Sequence, residues 1–341
     1  MNVSDKARGE IVDVAKVLIG GPIDSIEQVG HGRNSRVFHV RSNGCSFALK
    51  QYPPRNDDPR DRLTAEAGAL RLMEHYRIDV VPRVVATDPD RGFALLSWID
   101  GAAVTDVTER DIDAAVAFLA RIHGLRRTLW AADQPAAAEA CLSGAEIERQ
   151  ITLRLERLRA VSGDEPELID FLENSFFSQF ARTVAQSKQG LAVARLDFAS
   201  ELPQIWRSLV PSDFGFHNSL RRKDGSLAFL DFEYFGWDDP VKLTADIMLH
   251  PGQRLGLPLR QRFHRAAVGV YGEDRNFAKR FSAFYPLFGL RWVLILLNEF
   301  IPERWQRRVQ AGATLSWGES KARQLKLGRE LLMSLSEWAE G

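Results

Sequence analysis

Two cysteines in 341 residues, Cys45 and Cys141, are too few and too far apart for a disulfide framework, so the chain is expected to be cytoplasmic with reduced thiols. An excess of one charge is missing too. The 45 Lys+Arg balance 45 Asp+Glu, and a dedicated nucleic-acid binder needs a surplus of phosphate-neutralising side chains. The strongest later apolar run, Val293 to Leu297, is far below the ~20 residues that span a bilayer, and residues 1–22 carry no apolar h-region. Neither a membrane segment nor an export signal is expected. No internal repeat, low-complexity tract or long Gly/Ser linker occurs. What is present is buriable surface: 45% hydrophobic and 10% aromatic residues exclude a mostly disordered chain. Its length suits one large domain or two modest ones.

Asp5 to Leu18 carries Ile11, Val14, Ala15 and Leu18 at helical spacing and reads as a short amphipathic helix closed by Gly20 and Gly21. Ile26–Val29, Arg36–Val40 and Ser46–Gln51 then read as strands, the last two joined across Asn43-Gly44, a strong hairpin signal. A helix follows from about Arg60 to Tyr76, and two strand-like pieces at Arg83–Ala86 and Gly92–Trp98. Beyond Gly101 the pattern is mostly helical, at Asp111–His123, Ala145–Ala160, Glu167–Ser187 and, between Pro286 and Pro302, Leu287–Phe300. The expected architecture is α+β: a small antiparallel-sheet lobe over residues 1–100 with a leading helix, then a large helical lobe over 101–341.

An island of strand character in the helical half holds the sharpest constellation. Asp213-Phe214-Gly215-Phe216-His217-Asn218 is followed by Leu230-Asp231-Phe232-Glu233. With Asp224 and Gly225 as a two-residue loop, Lys223 pairs with Ser226 and Asn218 faces Asp231, Cβ atoms about 4.5–5.5 Å apart. An amide oxygen and a carboxylate so placed suit a Mg²⁺ ion, which takes one or two protein ligands plus phosphate oxygens. Asp213, on the loop entering the hairpin, is placed to orient an attacking hydroxyl. Taken singly, these residues are equally suited to capping turns and ending strands. His217, with no second histidine or cysteine at ligand spacing, reads as a loop hydrogen-bonding group rather than a metal ligand.

Upstream, Gly30-His31-Gly32-Arg33-Asn34-Ser35 lies between two expected strands, where glycines let backbone N–H groups close over phosphate oxygens. Lys50 ends the third strand, within Phe47-Ala48-Leu49-Lys50, and Glu66 sits in the next helix. A strand lysine paired with a helix glutamate is how kinases fix a lysine on nucleotide phosphates.

This order of glycine loop, strand lysine, helix glutamate, Leu95 to Gly101, Leu119 to His123, Asp213 to Asn218 and Asp231 to Glu233 resembles the aminoglycoside phosphotransferase and choline kinase family over roughly residues 23–300. The resemblance implies a protein-kinase-like fold and transfer of the γ-phosphoryl group of ATP, or of GTP, to a hydroxyl of a small molecule. Asp213 would be the catalytic base, Asn218 and Asp231 the Mg²⁺ ligands, and Lys50 the phosphate binder beside Gly30, Gly32, Asn34 and Ser35. Ser97, Trp98 and Ile99 would form the hinge facing the base, and Asp239-Pro240 and Asp246 match the family's continuation, in which the later Asp braces the catalytic loop. One departure is Pro211, where the family usually has a histidine two residues before the catalytic Asp. A nucleotide-binding pseudokinase is the competing class, disfavoured by the retention of Lys50, Asp213, Asn218 and Asp231 together.

The acceptor is less legible. Residues 251–341 hold 15 Lys+Arg and 8 Asp+Glu, which favours a neutral or anionic acceptor such as a sugar over an aminoglycoside. Arg291 and Asn298, at i and i+7, are candidates to present a cation and an amide to it. A choline or ethanolamine kinase is the alternative, with Trp292 and Glu299 on an aromatic and acidic stripe and Glu233 in Phe232-Glu233-Tyr234. Residues 125–205 match no named pattern and are expected to form a helical insert on the acceptor side.

Overall fold

The computed structural model describes residues 5–29, 35–53, 60–253, 255–310 and 314–338. By packing it divides into two compact units, residues 1–138 with 209–237 and residues 139–208 with 238–341. This differs from lobes divided at residue 100, because the helix after Gly101 and the Asp213 hairpin belong to the first unit. A hairpin far along the chain joins the early strands through long-range contacts that composition does not report.

The first unit is built on a five-stranded antiparallel sheet in the order β1-β2-β3-β5-β4. Its strands are β1 (Ser25–Gln28), β2 (Arg36–Ser42), β3 (Cys45–Gln51), β4 (Val84–Asp88) and β5 (Phe93–Ser97). Asn43 and Gly44 turn β2 into β3 with φ of 50° and 75°, the double left-handed geometry of a two-residue hairpin. Helix α1 (Asp5–Ile19) lays Ile11, Val14 and Ala15 against Phe38, Val40, Leu49, Phe93 and Leu95. Successive strand side chains point to opposite faces, so Leu49 joins that cluster while Lys50 meets Glu66 of α2 (Arg62–His75). The N-cap Asp61 of α2 accepts from the Thr64 amide (3.0 Å).

The rest of this unit frames the Asp213 hairpin. The two-residue β6 (Ala102–Ala103) pairs with β8 (Ser219–Arg221), itself paired with β9 (Leu227–Phe229). Helix α3 (Glu109–Gly124) starts at a Thr108/Asp111 capping box, and Asp111 also accepts from Arg221 (2.7 and 2.9 Å). Burial would raise the Asp111 pKa, but the Arg221 hydrogen bond and Thr108 hold it below the usual value. Helix α4 (Leu129–Ala132) and the paired strands β7 (Ser208–Val210) and β10 (Gly236–Asp238) complete the set. Two- and three-residue strands carry no periodicity, so β6, β7 and β10 escape a sequence reading.

The second unit is helical: α5 (Gly144–Ala160), α6 (Pro166–Asp170), α7 (Phe177–Val193), α8 (Pro240–Leu249), α9 (Leu257–Tyr271), α10 (Phe277–Leu296), α11 (Pro302–Gln310) and α12 (Trp317–Trp338). A π-helical turn over Phe171–Phe176 joins α6 to α7. Pro286 does not start a helix, as its position in the sequence implies, but lies inside α10. The ring removes the donor that would meet the Ser282 carbonyl four residues earlier, and the Ser187 hydroxyl donates to the adjacent Ala283 carbonyl (2.7 Å). Phe277–Phe300 is long and apolar enough to span a bilayer by length and composition, yet most of it is buried. Its Arg280 is paired bidentately with Asp239 (both 3.0 Å) and with Asp274. Cys45 and Cys141 are free thiols.

Candidate active site

Four of the expected residues converge. The Lys50 ammonium lies 2.6 Å from Glu66 Oε2, 2.6 Å from Asp231 Oδ1 and 3.5 Å from Glu233 Oε2. Burial alone would lower the Lys50 pKa, but Asp231 and Glu66 hold it well above the ordinary lysine value, so the side chain stays charged. Glu66 also accepts from the Tyr52 hydroxyl (2.6 Å) and the Phe232 amide (3.2 Å). One helix carboxylate thus ties β3 to the segment after β9. Burial, then the Glu66 charge, raises the Tyr52 phenol well above its usual value.

Glu233 belongs to this cluster rather than to an acceptor face. It is buried, Arg62 donates to it, and burial followed by the Asp231 charge pushes its carboxyl up to about 6. Arg62 also donates to the Tyr234 hydroxyl (2.6 Å) and lies over that ring (4.8 Å). No motif in the sequence singles out Tyr52 or Arg62, and Tyr234 enters one only as the last residue of Phe232-Glu233-Tyr234. A tyrosine two residues after the strand lysine was the available hint for the first, whereas Arg62 and Tyr234 are 172 residues apart.

The expected facing of Asn218 and Asp231 does not occur. The register is Ser219↔Phe229, Leu220↔Ala228 and Arg221↔Leu227, and the Leu230 amide donates to the Asn218 carbonyl (2.9 Å). Asn218 therefore faces Leu230. The loop has three residues, not two, because Asp224 Oδ1 accepts from the Ser226 amide and hydroxyl (2.9 and 2.7 Å) and Gly225 adopts φ 84°. That is a turn closed by a left-handed residue, and it slips the pairing by one. Asp231 follows Leu230 with φ 67°, so it has left the pleat and strand alternation does not govern its side chain.

Asp213 and Asn218 share one tight loop. The Asn218 amide nitrogen donates to the Asp213 carbonyl (2.9 Å), which leaves its amide oxygen as an acceptor, and Ser219 Oγ donates to Gly215 (2.8 Å). His217 Nε2 is 3.1 Å from Asp213 Oδ1, the hydrogen-bonding role expected of it. Beneath the loop, Phe214 packs with Phe118 and Phe229 (centroids 5.5 and 5.0 Å). After Pro211, Ser212 takes φ 61°, an uncommon conformation for a non-glycine residue that sets the chain direction into Asp213.

Of the nucleotide-side residues, Ser35 is buried at the entry to β2, while Gly30, Gly32 and Asn34 lie outside the described residues. Ser97 is committed to the sheet, its amide donating to Arg83 (2.8 Å) and its hydroxyl accepting from the Arg83 amide (2.9 Å). Its N–H is therefore not free for a base. Trp98 and Ile99 lie beyond the last register pair of the β3–β5 ladder, Phe47↔Ser97. The Trp98 ring stacks on His39 (3.9 Å) and donates to Asp100 (2.9 Å).

The remaining acceptor candidates lie in the second unit, and Arg291 is not an open cation. It is buried, donating to Gln150 (3.1 Å) and Glu139 (2.5 Å), with Asp246 at 3.6 Å. Trp292 donates to Asp246 (2.7 Å) and meets His250 edge-on (4.8 Å). Asp246 also pairs with Lys242 (3.3 Å). Asn298 sits past the end of α10, in a 3₁₀ turn over Leu297–Phe300, so the i, i+7 spacing from Arg291 is not that of one continuous α-helix. Glu299 is buried and paired with Arg308 (2.5 Å).

A family model described as the phosphotransferase enzyme family matches residues 25–277. The chain belongs to that family. It is thereby a small-molecule phosphotransferase with a kinase-like fold. A choline kinase from Streptococcus pneumoniae is similar in structure at 15% identity and a TM-score of 0.60, over 97% of this chain and 100% of that one. A spectinomycin phosphotransferase in complex with ADP and spectinomycin gives 14% and 0.61, over 96% and 98%. A macrolide 2′-phosphotransferase from Brachybacterium faecium gives 15% and 0.52, over 90% and 97%. At such identities the likeness shows the fold alone. No curated protein sequence matches.

Proposed function

We propose that this phosphotransferase moves the γ-phosphoryl group of ATP or GTP to a hydroxyl of a small molecule at the Lys50, Asp213 and Asp231 constellation. The carrying observation is the buried Lys50 held among the carboxylates of Glu66, Asp231 and Glu233, which favour its charged form. Such an ammonium is suited to triphosphate oxygens, and phosphoryl transfer depends mainly on positioning and charge neutralisation.

The donors present fit a hard divalent cation. Asp231 offers a carboxylate with its side chain 35% exposed, and Asn218 keeps its amide oxygen after its nitrogen is spent on Asp213. Mg²⁺ held by these two groups would neutralise phosphate charge. Asp213, its side chain 41% exposed, accepts the acceptor hydroxyl's proton and aligns that oxygen, while the His217 contact and the Phe214 packing fix its loop. Lys50 binds phosphate oxygens, and Glu66 keeps it in place.

The acceptor is a neutral or anionic hydroxyl compound, a sugar among them. Its support is the basic excess of residues 251–341, although Arg280, Arg291, Arg308 and Lys321 are each paired with a carboxylate. A second, choline-type reading rests on Trp292, whose indole is anchored on Asp246 beside His250, because an aromatic face with a carboxylate suits a quaternary ammonium. Competitive turnover with hexoses, hexosamines, choline, ethanolamine and kanamycin decides. Saturable phosphorylation of choline or kanamycin alone overturns the sugar reading, and no transfer to any hydroxyl compound in a broad cell extract overturns the enzyme reading.

A further inference from the structure

The second unit carries a groove of about 1480 Å³ between α7, α9 and α10, lined wholly by residues of that unit. Its lining is asymmetric in chemistry. Arg195, Arg265 and Lys279, all exposed, bring three cations to it, and among the described residues no carboxylate lines it. Lys279 is paired with a neutral group, the Asn276 amide oxygen at 3.3 Å. Val193, Leu257 and Pro286 add apolar surface to the same lining.

One further group marks the wall. His264 stacks on Phe281 (4.4 Å), and its Nε2 is buried without a hydrogen-bond partner. Burial, then the Arg265 charge, lowers its pKa, so at neutral pH the ring is uncharged and can offer one N–H. A buried ring nitrogen without a partner carries an uncompensated desolvation cost. Gly190, on the α7 wall, has open space where a Cβ would stand.

We propose that this groove binds a small amphipathic anion, a phosphate monoester carried on an apolar body. The doubly charged head suits three cations that line one groove free of carboxylates among the described residues, and the body suits the Val193, Leu257 and Pro286 surface. A neutral ligand leaves the cations without partners, and inorganic phosphate leaves the apolar surface uncovered. The site is separate from the Lys50 cluster, which lies in the other unit.

The test is calorimetric titration of the full chain, saturated with ADP and Mg²⁺ to cover the nucleotide site, with 2-naphthyl phosphate and with neutral 2-naphthol. The expected result is one site for the phosphate and at least about tenfold weaker binding of the naphthol. Arg265→Gln with Lys279→Gln should weaken the phosphate about tenfold or more. Gly190→Leu fills the groove from a helical position where leucine is the better helix former, so it should lose binding while keeping its melting temperature. Equal phosphate affinity in the parent and in folded Gly190→Leu, or naphthol binding as tight as the phosphate, overturns the proposal.

Discussion

The Lys50 ammonium is paired with Asp231, 181 residues away, at 2.6 Å. The lysine expected to hold phosphate and the aspartate expected to hold metal thus neutralise each other in this structure. Replacing either exposes the other. Asp231→Asn should remove most Mg²⁺-dependent nucleotide affinity and turnover, checked by nucleotide titration with and without Mg²⁺. Turnover at the parent rate would defeat the metal assignment.

Lys50→Ala should lower the transfer rate and also destabilise the first unit, because Glu66 is left buried without its cation while Glu233 keeps only Arg62. Breaking a buried ion pair costs about 3–5 kcal/mol. Denaturant unfolding checks the stability, and single-turnover kinetics check the rate. Lys50→Arg, which keeps the charge, should recover much of the first and little of the second.

Asp213→Ala should bind nucleotide as the parent does and lose transfer by roughly 10²–10⁴-fold, the usual contribution of a positioned base. Equilibrium nucleotide binding and turnover on the same sample separate the two effects. Transfer at the parent rate would remove Asp213 from the mechanism.

Gly225→Val should weaken the three-residue loop by about 1–2 kcal/mol, since a side chain is strained at φ 84°. That loop sets the register in which Asn218 and Asp231 are presented, so the expected signature is reduced Mg²⁺ affinity together with a lower melting temperature. Loss of stability with Mg²⁺ affinity intact would detach the register from the metal site.

Glu139 gives the second unit an acid-sensitive contact. Burial would raise its pKa, but Arg154, Arg291 and Lys242 hold it down to about 2, from 4.5. A depressed carboxyl contributes stability that is present above its ordinary pKa and is lost as pH falls from about 4.5 towards 2. Glu139→Gln should therefore lower the melting temperature by about 2–4 °C at pH 7, with the gap closing as the pH falls through that window. A gap independent of pH would assign the effect to packing instead.

The readable parts of this chain were those with local signals. Asn43-Gly44 specifies its turn, and Lys50 follows an apolar strand whose alternation turns it toward the Glu66 helix. The hairpin register was not readable, because it depends on whether Asp224 Oδ1 reaches the Ser226 amide, a choice between two- and three-residue loops that differ by one hydrogen bond. Arg291 failed for another reason. Its helical spacing is genuine, but its partners Gln150 and Glu139 arrive from more than 140 residues upstream, and a buried network looks the same in sequence as a binding face. Proline's preference for the first helical turn points to a start at Pro286, and tertiary packing overrides it inside α10.

Glu66, Asp231 and Glu233 stand against two cations, Lys50 and Arg62, in the nucleotide-side cluster. With all five groups ionised, a bare triphosphate approaches a pocket of its own sign. The ionic make-up of the surrounding solution, rather than nucleotide concentration alone, then governs how readily the pocket fills, and raising ATP at a fixed supply of divalent cations should slow the reaction once chelation outruns that supply.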